Sequence, residues 1–308
     1  HVFIDDDDIA HVDNAKLREI RRTKITMVFQ KFALFPHRTV VENVEYGLKV
    51  RGVPPQERRE KALWTLAQVG LAQWADYKPS ALSGGMQQRV GLARALATDA
   101  EVLLMDEAFS ALDPLIRRDM QDELLRLQSD LHKTIVFISH DIQEALKLGD
   151  RVAILKDGAV VQIGTPEEIV TNPANDYIAA FTQDVNRAQV LKTGTILRKV
   201  VPYILDEGSV TTALEHLKTV NQRQMYVVDK GLHPVGYVTE RRLTEAVKLG
   251  TQDIRQIMET TFSTVPEDSR LEDVLPLFNG NAPLAVVCDQ GQFQGVVDQA
   301  DIVAHLVA

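Results

Sequence analysis

Two short apolar runs, each ending in residues that can carry chemistry, constrain this chain more than any other feature. Val102-Leu103-Leu104-Met105 runs into Asp106-Glu107, and Thr134-Ile135-Val136-Phe137-Ile138 runs into Ser139-His140-Asp141. Apolar runs of this length, bounded by polar residues, read as buried strands of a sheet. Between them Asp113-Pro114 opens an amphipathic helix expected to reach about Leu131, with Leu124, Leu127 and Leu131 turned inward. Strand, helix and strand imply a parallel crossover, hence an α/β fold with the polar ends at the carboxyl edge of the sheet. A further strand, Lys24 to Phe29 with Ile25, Met27 and Phe29 alternating, brings Gln30 to a sheet edge.

At 308 residues with 45% apolar content the chain has room for two domains. A net charge of −9 disfavours a nucleic-acid partner, because no basic face is evident to neutralise phosphates. The single cysteine, Cys288, excludes a disulfide framework and is expected in the core after Ala285-Val286-Val287. No run approaches the ~18 apolar residues a membrane span needs, so membrane contact is expected to go through partners. The acids Asp5 to Asp8 follow a first edge strand, Val2-Phe3-Ile4, and read as solvated turn residues rather than metal ligands, since no ligand spacing supports them.

From Thr39 to about Ala75 the pattern is helical. Thr39 and Glu42 have capping-box spacing, Ala62, Leu63, Leu66 and Val69 share a face, and Trp64 and Trp74 are expected to anchor the packing. Arg151–Leu155 and Ala159–Ile163 flank Asp157-Gly158, a hairpin signal. Thr165-Pro166-Glu167-Glu168 then opens a closing helix. An internal repeat occupies the remainder. Tyr226-Val227-Val228-Asp229 and Val235-Gly236-Tyr237-Val238 recur as Ala285-Val286-Val287-Cys288-Asp289 and Gln294-Gly295-Val296-Val297, with helices expected upstream at Val210 to Val220 and Leu271 to Phe278.

Two adjacent carboxylates at one strand end and a histidine at the next are what hydrolysis of a magnesium nucleotide requires. Asp106 is assigned to Mg2+ and Glu107 to polarising the attacking water, against the plainer reading of two solvated loop acids. Ser83-Gly84-Gly85 precedes a helix through Met86, Gln87 and Val90, and offers an anion site at a positive helix end or simply a serine N-cap with a glycine turn. Gln30 reads as a surface amide or as a metal and water sensor, and His140 as a structural histidine or a catalytic one.

The order Leu82-Ser83-Gly84-Gly85-Met86-Gln87, Asp106-Glu107, Ser110-Ala111-Leu112-Asp113, Ser139-His140-Asp141 resembles the ATPase subunits of ABC transporters. The repeat resembles a tandem pair of cystathionine-β-synthase-type (CBS) repeats. That pair, together with the wording from Met105 to Arg117, resembles the uptake systems for glycine betaine, proline and choline. The resemblance implies a P-loop NTPase-type ATPase core over 1–185 with a helical subdomain at about 39–80. A CBS module over 186–308 follows, with repeats at about 195–248 and 256–308. It implies ATP and Mg2+ as cofactors, with Glu107, His140 and Gln30 catalytic, Asp106 and Gln30 at the metal, and Ser83, Gly84, Gly85, Gln87 and Asp113 at the nucleotide. His140 matches the family's switch histidine, Gln30 begins the loop that meets the membrane subunits, and Asp113 belongs to the dimer-crossing loop.

Implied partners are a second ATPase subunit in a head-to-tail homodimer, transmembrane permease subunits and, indirectly, a substrate-binding protein. The implied location is the cytoplasmic face of the plasma membrane. The function expected is ATP-driven import of an osmoprotectant; the alternatives are a non-catalytic CBS sensor on a degenerate ATPase, or import of another small solute. The family's GxxxxGK[ST] loop is missing, since no Gly-Lys pair occurs, and the chain is expected to be a fragment, inactive by itself. The repeats depart from nucleotide-binding CBS pairs: Thr239 is followed by Arg242 and Asp298 by Asp301, where a Thr or Ser followed by an Asp would hold a ribose. Arg198, Lys199, Arg241 and Arg242 suggest instead a salt-sensitive contact with an anionic membrane, or plain solvated charge.

Overall fold

Parallel pairing sets three strand ends side by side in the computed structural model, which describes residues 1–308 apart from 111, 132, 206–208, 279–281 and 308 and the side chains of 127, 129–131 and 307. The chain divides into two units, His1–Gly149 and Asp150–Ala308. The first opens with a small antiparallel hairpin, β1 (Phe3–Ile4) and β2 (Asp7–Asp8). Asp7 and Asp8 are therefore strand residues, not turn residues. Asp8 is also partnered rather than freely solvated: Oδ2 lies 2.5 Å from His1 Nδ1 and 2.7 Å from His11 Nδ1, while Oδ1 accepts the amides of Val2 and Ala10.

Helix α1 (Asn14–Thr23), capped by Asp13, leads into β3 (Ile25–Val28). Helices α2 (Val40–Val50), α3 (Pro55–Gln68) and α4 (Gly84–Ala97) then pack around Val40, Val44, Leu48, Ala62, Leu66 and Val90. The Thr39–Glu42 capping box is present at the start of α2. Trp74 packs against this core, but Trp64 is 61% exposed and Leu63 also faces out. Ala62 and Leu66, four apart, already fill the buried stripe of α3, and residues 63 and 64 turn away from it.

Strand β4 (Val102–Asp106), helix α5 (Pro114–Leu131), strand β5 (Thr134–Ile138) and helix α6 (Ile142–Leu148) complete the unit. The sheet has the order β3-β4-β5, all parallel, with Val28 opposite Met105 and Asp106 opposite Ile138. Beneath it Val28, Leu92, Leu103, Met105, Phe109, Met120 and Leu124 form one core. Leu124 faces inward as expected; Leu127 and Leu131 have side chains outside the described set. Two strands are less buried than their apolar sequences suggest. Phe29 is exposed beyond β3, whose buried residue is Val28, and β5 is an edge strand with Val136 and Ile138 exposed.

The second unit starts with the hairpin β6 (Val152–Lys156) and β7 (Ala159–Gly164). Its turn residues Asp157 and Gly158 have φ of 52° and 78°, the left-handed pair that a tight hairpin turn of this twist demands. Helix α7 (Pro166–Thr171) carries the Thr165–Glu168 capping box, and α8 (Asp176–Phe181), α9 (Arg187–Val190) and α10 (Thr193–Ile196) follow. The first repeat comprises β8 (Tyr203–Ile204), α11 (Val210–Thr219), β9 (Gln224–Val228), β10 (Pro234–Thr239) and α12 (Glu240–Lys248). The second comprises β11 (Thr264–Pro266), α13 (Leu271–Val274), β12 (Leu284–Val287), β13 (Phe293–Val297) and α14 (Gln299–Val307). Helix α13 is shorter than expected and gives way to a 3-10 turn containing Pro276, which has no amide to continue an α-helix. Cys288, expected in the core, sits half-buried in the turn after β12.

The two repeats share one register: Gly236 faces Val227, and Gly295 faces Val286. Both glycines are required by close approach. The segment before β11 bridges the first repeat through Glu259 and Tyr237, and the segment before β8 bridges the second through Arg198 and Val296. A Cβ at Gly295 would lie 2.6 Å from the Arg198 carbonyl oxygen, and one at Gly236 2.9 Å from that of Glu259. Gly295→Ala is therefore expected to destabilise the protein by about 1–3 kcal/mol through overpacking. An unchanged melting temperature in calorimetry would contradict that.

Candidate functional site

The residues of one group are delivered by strand ends of the first unit. Gln30 follows β3, Asp106 ends β4 with Glu107 next, and His140 follows β5. The Gln30 amide Nε2 donates to Glu107 Oε2 at 2.8 Å and to Ser110 Oγ at 3.3 Å. His140 Nδ1 lies 3.3 Å from the same Glu107 oxygen. Three residues separated by up to 110 positions thus meet on one carboxylate. Asp106 is half-buried at the same edge.

The backbone at Glu107 is unusual, with φ of 42°, a left-handed conformation that a glutamate adopts only when its surroundings impose it. Its N–H donates to the Ile138 carbonyl of β5 at 2.9 Å, and its own carbonyl accepts the Ser110 hydroxyl at 2.9 Å. Buried Phe109 and Leu112 anchor the turn on the core side. Asp113 caps α5 by accepting the Ile116 amide at 3.1 Å. Ala111, the remaining member of this motif, lies outside the described residues.

Ser83 caps α4, its Oγ accepting the Met86 amide at 3.4 Å, and Gln87 donates to the Leu82 carbonyl at 3.2 Å. Gly84 is open to solvent, whereas a Cβ at Gly85 would lie 2.6 Å from Ile116 Cγ2 of α5. Among the described residues, Ser83, Gly84 and Gly85 share no hydrogen bond with Gln30, Glu107 or His140. The geometry thus forms two separate groups, the carboxylate cluster and the helix N-terminus.

Several supporting residues carried no local sequence signal. Arg94 of α4 donates to the carbonyls of Ala33 at 2.6 Å and Phe32 at 2.9 Å, holding the loop after Gln30, and burial pushes its guanidinium below its usual range. Phe32 and Ala33 have φ of 58° and 47°, so this loop too is held in a left-handed conformation. Buried Asn43 fastens its far end through Phe35 and Thr39. Arg117 donates to the carbonyls of Ser110 and Leu112 and lies 3.7 Å from Asp141.

The residues present fit a magnesium nucleotide. Asp106 and Gln30 Oε1 are hard oxygen donors of the kind Mg2+ prefers, and Glu107 stands beside them at the edge where α/β sheets hold ligands. The GxxxxGK[ST] motif does not occur in these 308 residues.

The second unit contains a cleft of about 430 Å³ lined by Arg198, Lys199, Arg223, Tyr226, Tyr237 and Val296. The positions that would hold a ribose are used as helix caps: Thr239 accepts the Arg242 amide, and Asp298 and Asp301 bond each other's amides. Of the four basic residues considered as a salt sensor, two are engaged within the chain, Arg242 with Glu259 at 2.8 Å and Arg198 with Asp298 at 3.0 Å. Arg241 and Lys199 are exposed. No helix among the described residues is long and apolar enough to cross a membrane.

A parallel α/β sheet that gathers an amide, two carboxylates and an imidazole at one edge suits hydrolysis of a phosphoanhydride. Residues 1–110 match the ABC transporter family, and residues 194–249 and 254–308 match the CBS domain family. The glycine betaine transport ATP-binding protein OpuAA of Bacillus subtilis (strain 168) is 48% identical over 99% of this chain and 73% of its own length. The glycine betaine/proline betaine transport system ATP-binding protein ProV of Escherichia coli (strain K12) is 45% identical over 99% of this chain and 77% of its own. The glycine betaine/carnitine transport ATP-binding protein GbuA of Listeria monocytogenes (serotype 1/2a) is 40% identical over 99% and 77%. The chain belongs to the family of ABC transporter ATP-binding subunits that carry a tandem CBS pair.

Proposed function

We propose that the complete subunit hydrolyses ATP to drive import of glycine betaine or a related osmoprotectant such as proline betaine, and that its CBS pair regulates the process. The meeting of Gln30, Glu107 and His140 on one carboxylate carries the hydrolytic part of this reading. The relatives' substrates carry the rest. The ATPase domain is taken as 1–185 and the regulatory module as 186–308.

Bound magnesium nucleotide supplies a terminal phosphoryl group and a cation that offsets its charge. Asp106 and Gln30 Oε1 would hold the cation. Glu107 orients the attacking water and accepts its proton, a role for which Oε1 has no hydrogen-bond partner among the described residues. His140, whose Nδ1 lies 3.3 Å from Glu107 Oε2, would face the terminal phosphate. Ser83, Gly84, Gly85 and Gln87 present the α4 N-terminus to the nucleotide of a second subunit in a head-to-tail homodimer, and Asp113 lies at the crossing between the two. The loop from Gln30 to Arg38 meets the permease, and a substrate-binding protein acts through that permease. On this reading the subunit works at the cytoplasmic face of the membrane.

The test is uptake. A full-length subunit co-expressed with its permease and binding protein, in cells stripped of their own osmoprotectant systems, should accumulate labelled glycine betaine at high osmolarity. Uptake unaffected by excess unlabelled glycine betaine, or none at all, would overturn the substrate assignment.

A further inference from the structure

Glu144 is a carboxylate that the proposed mechanism does not use, and it is buried, with 6% of its surface exposed. It lies on α6, one turn beyond Asp141. The Ser139 hydroxyl donates to its Oε2, and the buried Gln121 amide donates to its Oε1 at 2.9 Å. Ser139 Oγ in turn accepts the Asp141 N–H at 3.0 Å, and the Asp141 carboxylate accepts the amides of Gln143 and Glu144 at 2.9 and 3.3 Å. Lys147 donates to Gln121 Oε1 at 3.2 Å and to Asp122 at 2.7 Å. The residues immediately before and after His140 are therefore both tied to one buried group, whereas the imidazole itself is exposed.

Burying a carboxylate is costly unless donors surround it, and hydrogen bonds to an ionised group are about twice as strong as neutral ones. Such a group holds its neighbours rigidly. Here the neighbours are the peptide that carries His140 and, through Gln121, the helix that starts behind Asp113. We infer that Glu144 is the positioning residue for His140: through Ser139 it sets where the imidazole stands relative to Glu107, and through Gln121 it links that position to α5. The inference rests on the hydrolytic role proposed for His140.

The link can be cut without touching the imidazole. Ser139→Ala removes only the hydroxyl, and Ser139→Thr restores one. Glu144→Gln leaves a single carbonyl oxygen for the two donors that the carboxylate accepts, the Ser139 hydroxyl and the Gln121 amide. In the nucleotide-free full-length subunit, Ser139→Ala and Glu144→Gln should raise the hydrogen-exchange rate of the Asp141 amide about tenfold or more, because its acceptor is lost or released. In the transporter assembly both should lower kcat for ATP about tenfold while KM stays within about twofold, since a misplaced group acts on the chemical step. Ser139→Thr should recover most of the rate. Should Glu144→Gln fail to fold, Ser139→Ala with its threonine partner carries the test alone. Unchanged Asp141 exchange, or full kcat in Ser139→Ala, would overturn the inference while wild-type hydrolysis left the function standing. Absence of hydrolysis in the wild-type assembly would overturn both.

Discussion

Glu107→Gln in the full-length subunit will lower ATP turnover by about 10²–10⁴-fold, the range expected when a general base is lost, while nucleotide binding persists. The substitution is close to isosteric, so the left-handed turn at residue 107, held by the Ile138 carbonyl and the Ser110 hydroxyl, remains in place. What changes is the acceptor: an amide oxygen is a far weaker base than a carboxylate. Steady-state hydrolysis by the reconstituted transporter, alongside equilibrium binding of a fluorescent nucleotide, separates the two effects. Turnover within threefold of wild type would remove Glu107 from the role of base and leave Gln30 and His140 gathered around an idle carboxylate.

Phe109→Ala will destabilise the first unit by about 3–5 kcal/mol, the usual range for deleting a buried aromatic side chain. Phe109 is fully buried and its ring lies 5.7 Å from that of Phe137, so it fastens the turn after β4 to the edge strand β5. For a unit of about 150 residues this corresponds to a fall in Tm of about 10 °C. Calorimetry of the chain should show it, and a shift below about 3 °C would mean that the site turn is anchored elsewhere. The variant differs from Glu107→Gln in kind, since it removes the support beneath the site and leaves every polar group of the site intact.

The elements that sequence reasoning located share one property: their signals are local. The capping boxes at Thr39 and Thr165, the Asp157-Gly158 turn, and the strands that end in Asp106 and Ile138 depend on residues a few positions apart. The repeat register was legible because Gly236 and Gly295 hold the same place in both copies. The errors concern what covers what. Apolar β5 reads as buried yet lies at a sheet edge, Trp64 reads as an anchor yet points outward, and α13 reads as a full helix despite Pro276. In the site, Gln30, Glu107 and His140 could be named from motif order, but their convergence on one carboxylate oxygen is tertiary. Arg94, Arg117 and Glu144 support the loops from more than twenty residues away or from inside a helix, and nothing in their immediate sequence marks them. Asp8 shows the converse, because its partners His1 and His11 were visible nearby but the hairpin that joins them was not.

Arg198 and Val296 exchange both of their backbone hydrogen bonds, at 2.8 and 3.0 Å, and Tyr237 and Glu259 do the same at 2.9 Å in each direction. Each copy in the C-terminal half is thus finished by a piece of chain that leads into its sibling. Separating the copies would leave two ragged sheets, each short of the rung its twin supplies, so one copy expressed without the other is expected to fold poorly and the two together to fold as a couple.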